Sequence, residues 1–120
     1  MRDTFCRLRA VHQAIAEFEH TLQQAHGVSL NEAMLLCTLS AQSPLSAGDI
    51  AKQLGLSCPN TSKLIRAVED KQLIARRLNH ADRRGMLFEL TPLGRERLAQ
   101  INAQPPPIPA ALCQPNSEAP

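Results

Sequence analysis

The stretch from Leu56 to Thr91, LSCPNTSKLIRAVEDKQLIARRLNHADRRGMLFELT, limits the fold more than any other part of this chain. Cys58 to Lys71 carries Leu64, Ile65 and Val68 at helical spacing, so one narrow face of this helix meets a core. The outward face carries Asn60, Ser62, Lys63, Arg66 and Ala67, with Thr61 near the boundary. Leu73 to Leu78 and Met86 to Leu90 then read as two short strands, the second with Met86, Phe88 and Leu90 on one side. Between them, Asn79-His80-Ala81-Asp82-Arg83-Arg84-Gly85 is a polar, basic hairpin tip.

The segments before this stretch are punctuated as helices. From about residue 3 to 26, Phe5, Leu8, Val11, Ile15, Phe18 and Leu22 recur in steps of three and four, and Gly27 ends the pattern. Such a stripe needs a partner, from its own fold or from a second subunit. Ser29 opens a second helix with Glu32 placed for a capping box; Ala33, Met34, Leu35, Leu36 and Leu39 are its apolar positions, and Ser43-Pro44 stops it. A short third helix follows, capped by Ser46 with Asp49 three residues on, burying Ile50, Ala51 and Leu54 and closed by Gly55. Leu56 packs inward, and Ser57 caps the fourth helix with Pro59 in its first turn. Two short helices around a tight glycine turn make a helix-turn-helix, and the basic hairpin after it makes a wing. Thr91-Pro92 opens a fifth helix running through Arg95, Leu98 and Ile101.

The expected fold is therefore mainly α: a winged helix-turn-helix with a two-stranded wing, a long N-terminal helix and a short C-terminal one. Residues 1–103 form this domain with its flanking helices. From Gln104 the composition changes, and QPPPIPAALCQPNSEAP reads as an extended or disordered tail over 104–120.

Composition narrows the function. Residues 57–100 hold nine Lys and Arg against five acids, whereas residues 1–56 hold four against five, so the positive charge gathers around the fourth helix and the wing. The aromatic residues are Phe5, Phe18 and Phe88 alone, which argues against base-stacking platforms for single strands or RNA loops. Cys6, Cys37, Cys58 and Cys113 have neither Cys-x-x-Cys nor histidine-ligand spacing, so no metal site and no cofactor are expected. His12, His20, His26 and His80 lack partners at catalytic spacing and no glycine-rich phosphate loop occurs, so the chain is not read as an enzyme. With neither a signal peptide nor a long apolar run, it is expected in the cytoplasm and away from membranes.

At the wing the chain resembles the multiple-antibiotic-resistance regulators, the MarR family of bacterial transcription factors. The residues that carry the resemblance are Leu56-Ser57, Lys63-Leu64-Ile65, Glu69-Asp70-Lys71-Gln72-Leu73-Ile74, Asp82-Arg83-Arg84, Leu90-Thr91 and Gly94, within about residues 28–101. The resemblance implies that the fourth helix enters a major groove of double-stranded DNA, using Asn60, Thr61, Ser62, Lys63 and Arg66. It implies that Arg83 or Arg84 enters the adjacent minor groove, with His80 at a phosphate and Asp82 holding the wing through an arginine. A homodimer through Phe5, Leu8, Val11, Ile15, Leu98 and Ile101 would read a pseudo-palindromic operator and repress by occlusion, its half-site centres about 10 bp apart. Bound to its operator it would sit at the bacterial nucleoid.

The chain departs from the family pattern at two places. Gln72 stands where the family commonly has glycine, which requires a left-handed or altered turn there. Pro105 stops the fifth helix where the family continues into longer dimer helices, so no particular small-molecule effector pocket is implied. Two rival readings belong to other classes. One is a winged-helix module that binds proteins and no longer binds DNA. The other is a redox-sensing repressor using Cys6, near the start of the first helix, where the hydroperoxide-sensing branch keeps its reactive thiol; that branch also surrounds the thiol with tyrosines, which this chain lacks.

Overall fold

The computed structural model describes residues 2–79 and 85–113, in the order α1 (Arg2–His26), α2 (Leu30–Ala41), β1 (Leu45–Ser46), α3 (Ala47–Leu54), α4 (Cys58–Asp70), β2 (Ile74–Leu78), β3 (Met86–Leu90), α5 (Pro92–Ala103) and α6 (Ala110–Cys113). None of these helices is long and apolar enough to cross a membrane.

Each of the middle helices begins where a hydroxyl can accept an orphan backbone N–H. Ser29 and Glu32 form the expected capping box, with Glu32 N donating to Ser29 Oγ at 3.1 Å and Ser29 N to Glu32 Oε1 at 2.8 Å. Ser46 Oγ accepts from Asp49 N at 3.1 Å, Ser57 Oγ from Asn60 N at 3.3 Å, and Thr91 Oγ1 from Gly94 N at 2.9 Å. The turn between α3 and α4 depends on Gly55 at φ +67°, a left-handed conformation that costs glycine nothing sterically. Gln72 takes the same conformation at φ +64°, so the chain makes the left-handed turn after α4 without a glycine.

Leu22, Val28, Leu35, Leu36, Leu39, Ile50, Val68 and Leu73, all within 1 % of full burial, form the centre of the core. Leu64, Ile65 and Phe88 join it from α4 and β3, as the spacing of apolar residues requires. Met34 does not, because it lies on the solvent side of α2 and is 40 % exposed. The α1 stripe is covered unevenly. Leu22 is buried and Phe18 and Val11 are half-buried, but Phe5 and Leu8 remain about as exposed as a surface residue, at 61 % and 59 %, and Ile15 is exposed as well.

The expected two-stranded wing is the β2–β3 hairpin, and a third strand extends it into a sheet of order β1-β3-β2, because Leu45 and Ser46 pair antiparallel with Phe88 and Leu87. Two residues in front of a helix cap are too few to show a period of two. Ile101, assigned to a dimer surface, is 9 % exposed inside this chain's own core, and Leu98 packs against the same cluster. Within the segment expected to be extended or disordered, Pro106 is buried and α6 packs on α1. The prolines exclude a long helix but not a chain that folds back with its carbonyls satisfied, as His26 Nε2 does for Gln104 O at 3.0 Å.

A buried carboxylate ties three helices together. The Glu32 carboxylate of the capping box also meets Lys71 Nζ, at the C-terminus of α4, at 2.6 Å; the same ammonium donates to Gly27 O at 2.9 Å. The Glu32 side chain is 9 % exposed and that of Lys71 34 %, so the lysine closes the site from the solvent side. Lys71→Met should cost about 1–3 kcal/mol by leaving that acid without its cation, as read from urea denaturation. An unchanged midpoint would mean that the capping box alone satisfies Glu32.

Candidate nucleic-acid interface

α4 presents to solvent the residues that its apolar spacing leaves over. Thr61, Leu64, Ile65 and Val68 are buried, and Asn60, Ser62, Lys63 and Arg66 are exposed together on the opposite side of the N-terminal two-thirds of the helix. Thr61 must be removed from the set expected to reach bases. It is 2 % exposed, and its Oγ1 donates to Ser57 O at 2.8 Å, so it seals the first turn of α4 against the core. The signal was present in the sequence, since position 61 lies on the helical face of Leu64, Ile65 and Val68.

The basic excess of this region is not equally available to a ligand. Lys71 is held by Glu32, Arg77 by Glu89 at 3.1 Å, and Arg76 by both carboxylate oxygens of Glu69 at 2.7 Å. Arg97 Nη1 is spent on His26 O at 3.0 Å, closing the last turn of α1. Of the other described cations between residues 57 and 100, Lys63 and Arg66 on α4 and Arg95 on α5 are in no ion pair. Within that basic stretch, two unpaired cations therefore stand beside short hydrogen-bonding side chains on the outer face of α4. That arrangement suits phosphates and base edges better than it suits an apolar ligand.

Sequence reading missed the Glu69–Arg76 pair. It joins the last turn of α4 to β2 across seven residues, with Nε donating to Oε2 and Nη2 to Oε1. The Arg76 hydrogen bond is the main cause holding the Glu69 carboxyl below the usual carboxylate range; desolvation opposes it, and the charges of Arg76 and then Arg66 add to the lowering. The guanidinium also lies 5.6 Å from the centre of the Phe88 ring, opposite it in the strand register. A bidentate fork of this kind was legible only once helix and strand were placed side by side.

The hairpin ladder pairs Ile74 with Leu90, Arg76 with Phe88 and Leu78 with Met86, and Asn79 N donates to Gly85 O at 3.2 Å beyond it. His80, Asp82, Arg83 and Arg84, expected at the wing tip, lie outside the described residues. Of the residues expected at a dimer surface, Phe5, Leu8 and Ile15 are exposed on α1 and Val11 is half-buried. Cys6, Cys37 and Cys58 are exposed free thiols.

Gly94 is a structural residue whose reason the sequence did not give. A Cβ built there would stand 2.0 Å from Leu73 O, because the first turn of α5 packs directly on the backbone after α4. Thr91 completes this joint, its N donating to Leu73 O at 3.0 Å and its Oγ1 to Gln72 O at 2.7 Å.

Comparison with known proteins agrees with this geometry. The MarR family model matches residues 28–86, from the start of α2 through the helix-turn-helix to the first residue of β3. The crystal structure of the S. aureus MepR–DNA complex is similar at 26 % identity and a TM-score of 0.75, covering 83 % of this chain and 74 % of that one. YusO from Bacillus subtilis is similar at 27 % identity and a TM-score of 0.68, covering 86 % and 73 %. The transcriptional regulator BldR from Sulfolobus Solfataricus shares the fold with a TM-score of 0.74, at 24 % identity over 85 % of this chain and 73 % of that one. No curated protein matches the sequence. The winged helix fold, with a family match that spans its whole helix-turn-helix, identifies this chain as a member of the MarR family of transcriptional regulators.

Proposed function

We propose that this chain is a sequence-specific, double-stranded-DNA-binding transcriptional regulator that works as a homodimer and represses by occupying its operator. The observation that carries the reading is the outer face of α4, where Asn60, Ser62, Lys63 and Arg66 are exposed together and the two cations are left out of the surrounding ion pairs. In this reading α4 lies in a major groove, with Asn60 and Ser62 at base edges and Lys63 and Arg66 at bases or phosphates. Arg84, or its neighbour Arg83, reaches the neighbouring minor groove, Asp82 holds the tip by pairing with an arginine, and His80 meets a phosphate. The solved complex of MepR with DNA supports this assignment by family likeness.

The homodimer is supported by the uncovered half of the α1 stripe. Phe5, Leu8 and Ile15 are exposed apolar side chains on one helix, and a second copy related by a two-fold axis would cover them with the same residues. Val11 lies at the edge of that surface. A two-fold dimer in turn requires an operator of two related half-sites, with centres about 10 bp apart.

Alanine variants separate the roles. Arg84→Ala should weaken binding to a specific duplex about ten-fold while leaving thermal stability unchanged, since a wing tip contributes little to a core. Lys63→Ala should weaken binding to specific and scrambled duplexes alike, and reduce the slope of log K against log salt by about one. Titration of each variant by fluorescence anisotropy at two salt concentrations reads both effects. Wild-type affinity in Arg84→Ala would remove the minor-groove assignment, and an unchanged salt slope in Lys63→Ala would place Lys63 away from phosphate.

A further inference from the structure

Winged helices that read two grooves at once must hold two elements at a fixed angle, and here that angle is set over very few residues. α4 ends at Asp70 and β2 begins at Ile74, so only Lys71, Gln72 and Leu73 connect them. Backbone bonds from Lys71 N and Leu73 N to Val68 O, both at 3.2 Å, and from Gln72 N to Glu69 O at 2.8 Å fix this turn close to the helix. They act at the hinge itself. The wing extends beyond it, and the side-chain link that reaches outward along the wing is the fork between Glu69 and Arg76.

We propose that Glu69 and Arg76 form a clamp that holds the wing at one angle to the recognition helix, making both of them positioning residues for DNA reading. The inference rests on the DNA-binding function proposed above. Three observations carry it. The pair is bidentate, with both contacts at 2.7 Å, and two parallel bonds between planar groups define an orientation where a single contact defines only a distance. Arg76 is oriented from its other side by the ring of Phe88, which is itself 4 % exposed and fixed in the core, so the clamp is anchored to the sheet. The Arg76 side chain is 53 % exposed, and an ion pair in that setting contributes little to folding. A defined geometry without a large stabilising role is what a positioning contact requires.

Glu69 makes the inference testable by the sign of an effect. It is an acid on the helix that faces a polyanion, so charge alone predicts that Glu69→Gln tightens binding to any duplex. The clamp predicts the reverse: the amide keeps one acceptor and loses the second arm of the fork, and affinity for a specific duplex should fall about five- to ten-fold. The slope against salt should stay at the wild-type value, because no phosphate contact is lost. Arg76→Lys keeps the positive charge but cannot form the fork, and should lose a similar factor. Were Arg76 instead a phosphate contact, the lysine would preserve most of the affinity.

The experiment is fluorescence-anisotropy titration of the full chain and both variants on one specific duplex at two salt concentrations, with melting temperatures of the same samples. Weaker binding by both variants at unchanged melting temperature and salt slope supports the clamp. Wild-type or tighter binding by Glu69→Gln, wild-type binding by Arg76→Lys, or losses that track a fall in melting temperature would overturn it. The wild-type titration separates the two levels: a wild-type chain that binds no duplex defeats the proposed function itself, whereas a binding wild type with insensitive variants defeats only the clamp.

Discussion

Gly94→Ala should destabilise the protein by about 3 kcal/mol or more, at the upper end of what overpacking costs. The expectation runs against simple helix propensity, which favours alanine over glycine by ~1 kcal/mol in a helix interior. Gly94 is the third residue of α5, and a methyl group there would sit 2.0 Å from Leu73 O and 3.0 Å from its carbonyl carbon. Neither side can retreat easily. Leu73 O already accepts from Thr91 N at 3.0 Å, and the Leu73 side chain is fully buried. Relief would have to come from tilting α5 away from the end of α4, which opens the contacts of Ile101 and Leu98 with the core. Thermal and urea denaturation followed by circular dichroism reads the loss. A variant as stable as the wild type would contradict the close approach of α5 to the α4–β2 turn.

Leu64→Ala should cost about 2–5 kcal/mol, the range for removing a buried leucine and leaving part of its volume empty. Leu64 is 9 % exposed and belongs to the same cluster as Ile65 and Val68, on the face of α4 opposite Lys63 and Arg66. The substitution also bears on function, because the packing of this face sets which residues α4 turns outward. Partial collapse around the lost side chain would rotate Asn60, Ser62 and Lys63 relative to the rest of the domain. Chemical denaturation gives the stability, and a change smaller than ~0.5 kcal/mol would mean that α4 is rotated from the placement described.

Much of this was legible in the sequence because the signals were local. Serine or threonine caps at Ser29, Ser46, Ser57 and Thr91, glycines at Gly27 and Gly55, and Pro92 in the first turn of α5 each act within one helical turn, so their spacing alone locates the helix ends. Apolar periodicity likewise placed Leu64, Ile65 and Val68 inward and Lys63 and Arg66 outward. What escaped was non-local. The two-residue strand Leu45–Ser46 exists only because β3 lies beside it. Gly94 is explained by a carbonyl twenty-one positions earlier, and the Glu69–Arg76 fork by a turn whose left-handed residue is Gln72 rather than a glycine.

Thr61 is polar and near the boundary of the apolar face, so it falls among the residues expected at DNA, yet its hydroxyl is satisfied by Ser57 O and its methyl group can then be buried. Ile101 belongs to the expected dimer surface, but α5 packs within the fold and Ile101 is buried in this chain's own core cluster. Proline-rich composition over 104–120 points to an extended or disordered tail, whereas prolines also stiffen a segment that packs, as Pro106 does.

The most direct test of the account is selection of duplexes from a randomised pool by the full chain, with the enriched sequence then titrated at two salt concentrations. The account predicts enrichment of a pseudo-palindrome with half-site centres about 10 bp apart, two chains bound per duplex, and affinity that falls steeply as salt rises. No enrichment, with no binding to any duplex at low salt, would contradict it and would leave the outer face of α4 as a surface for some other partner.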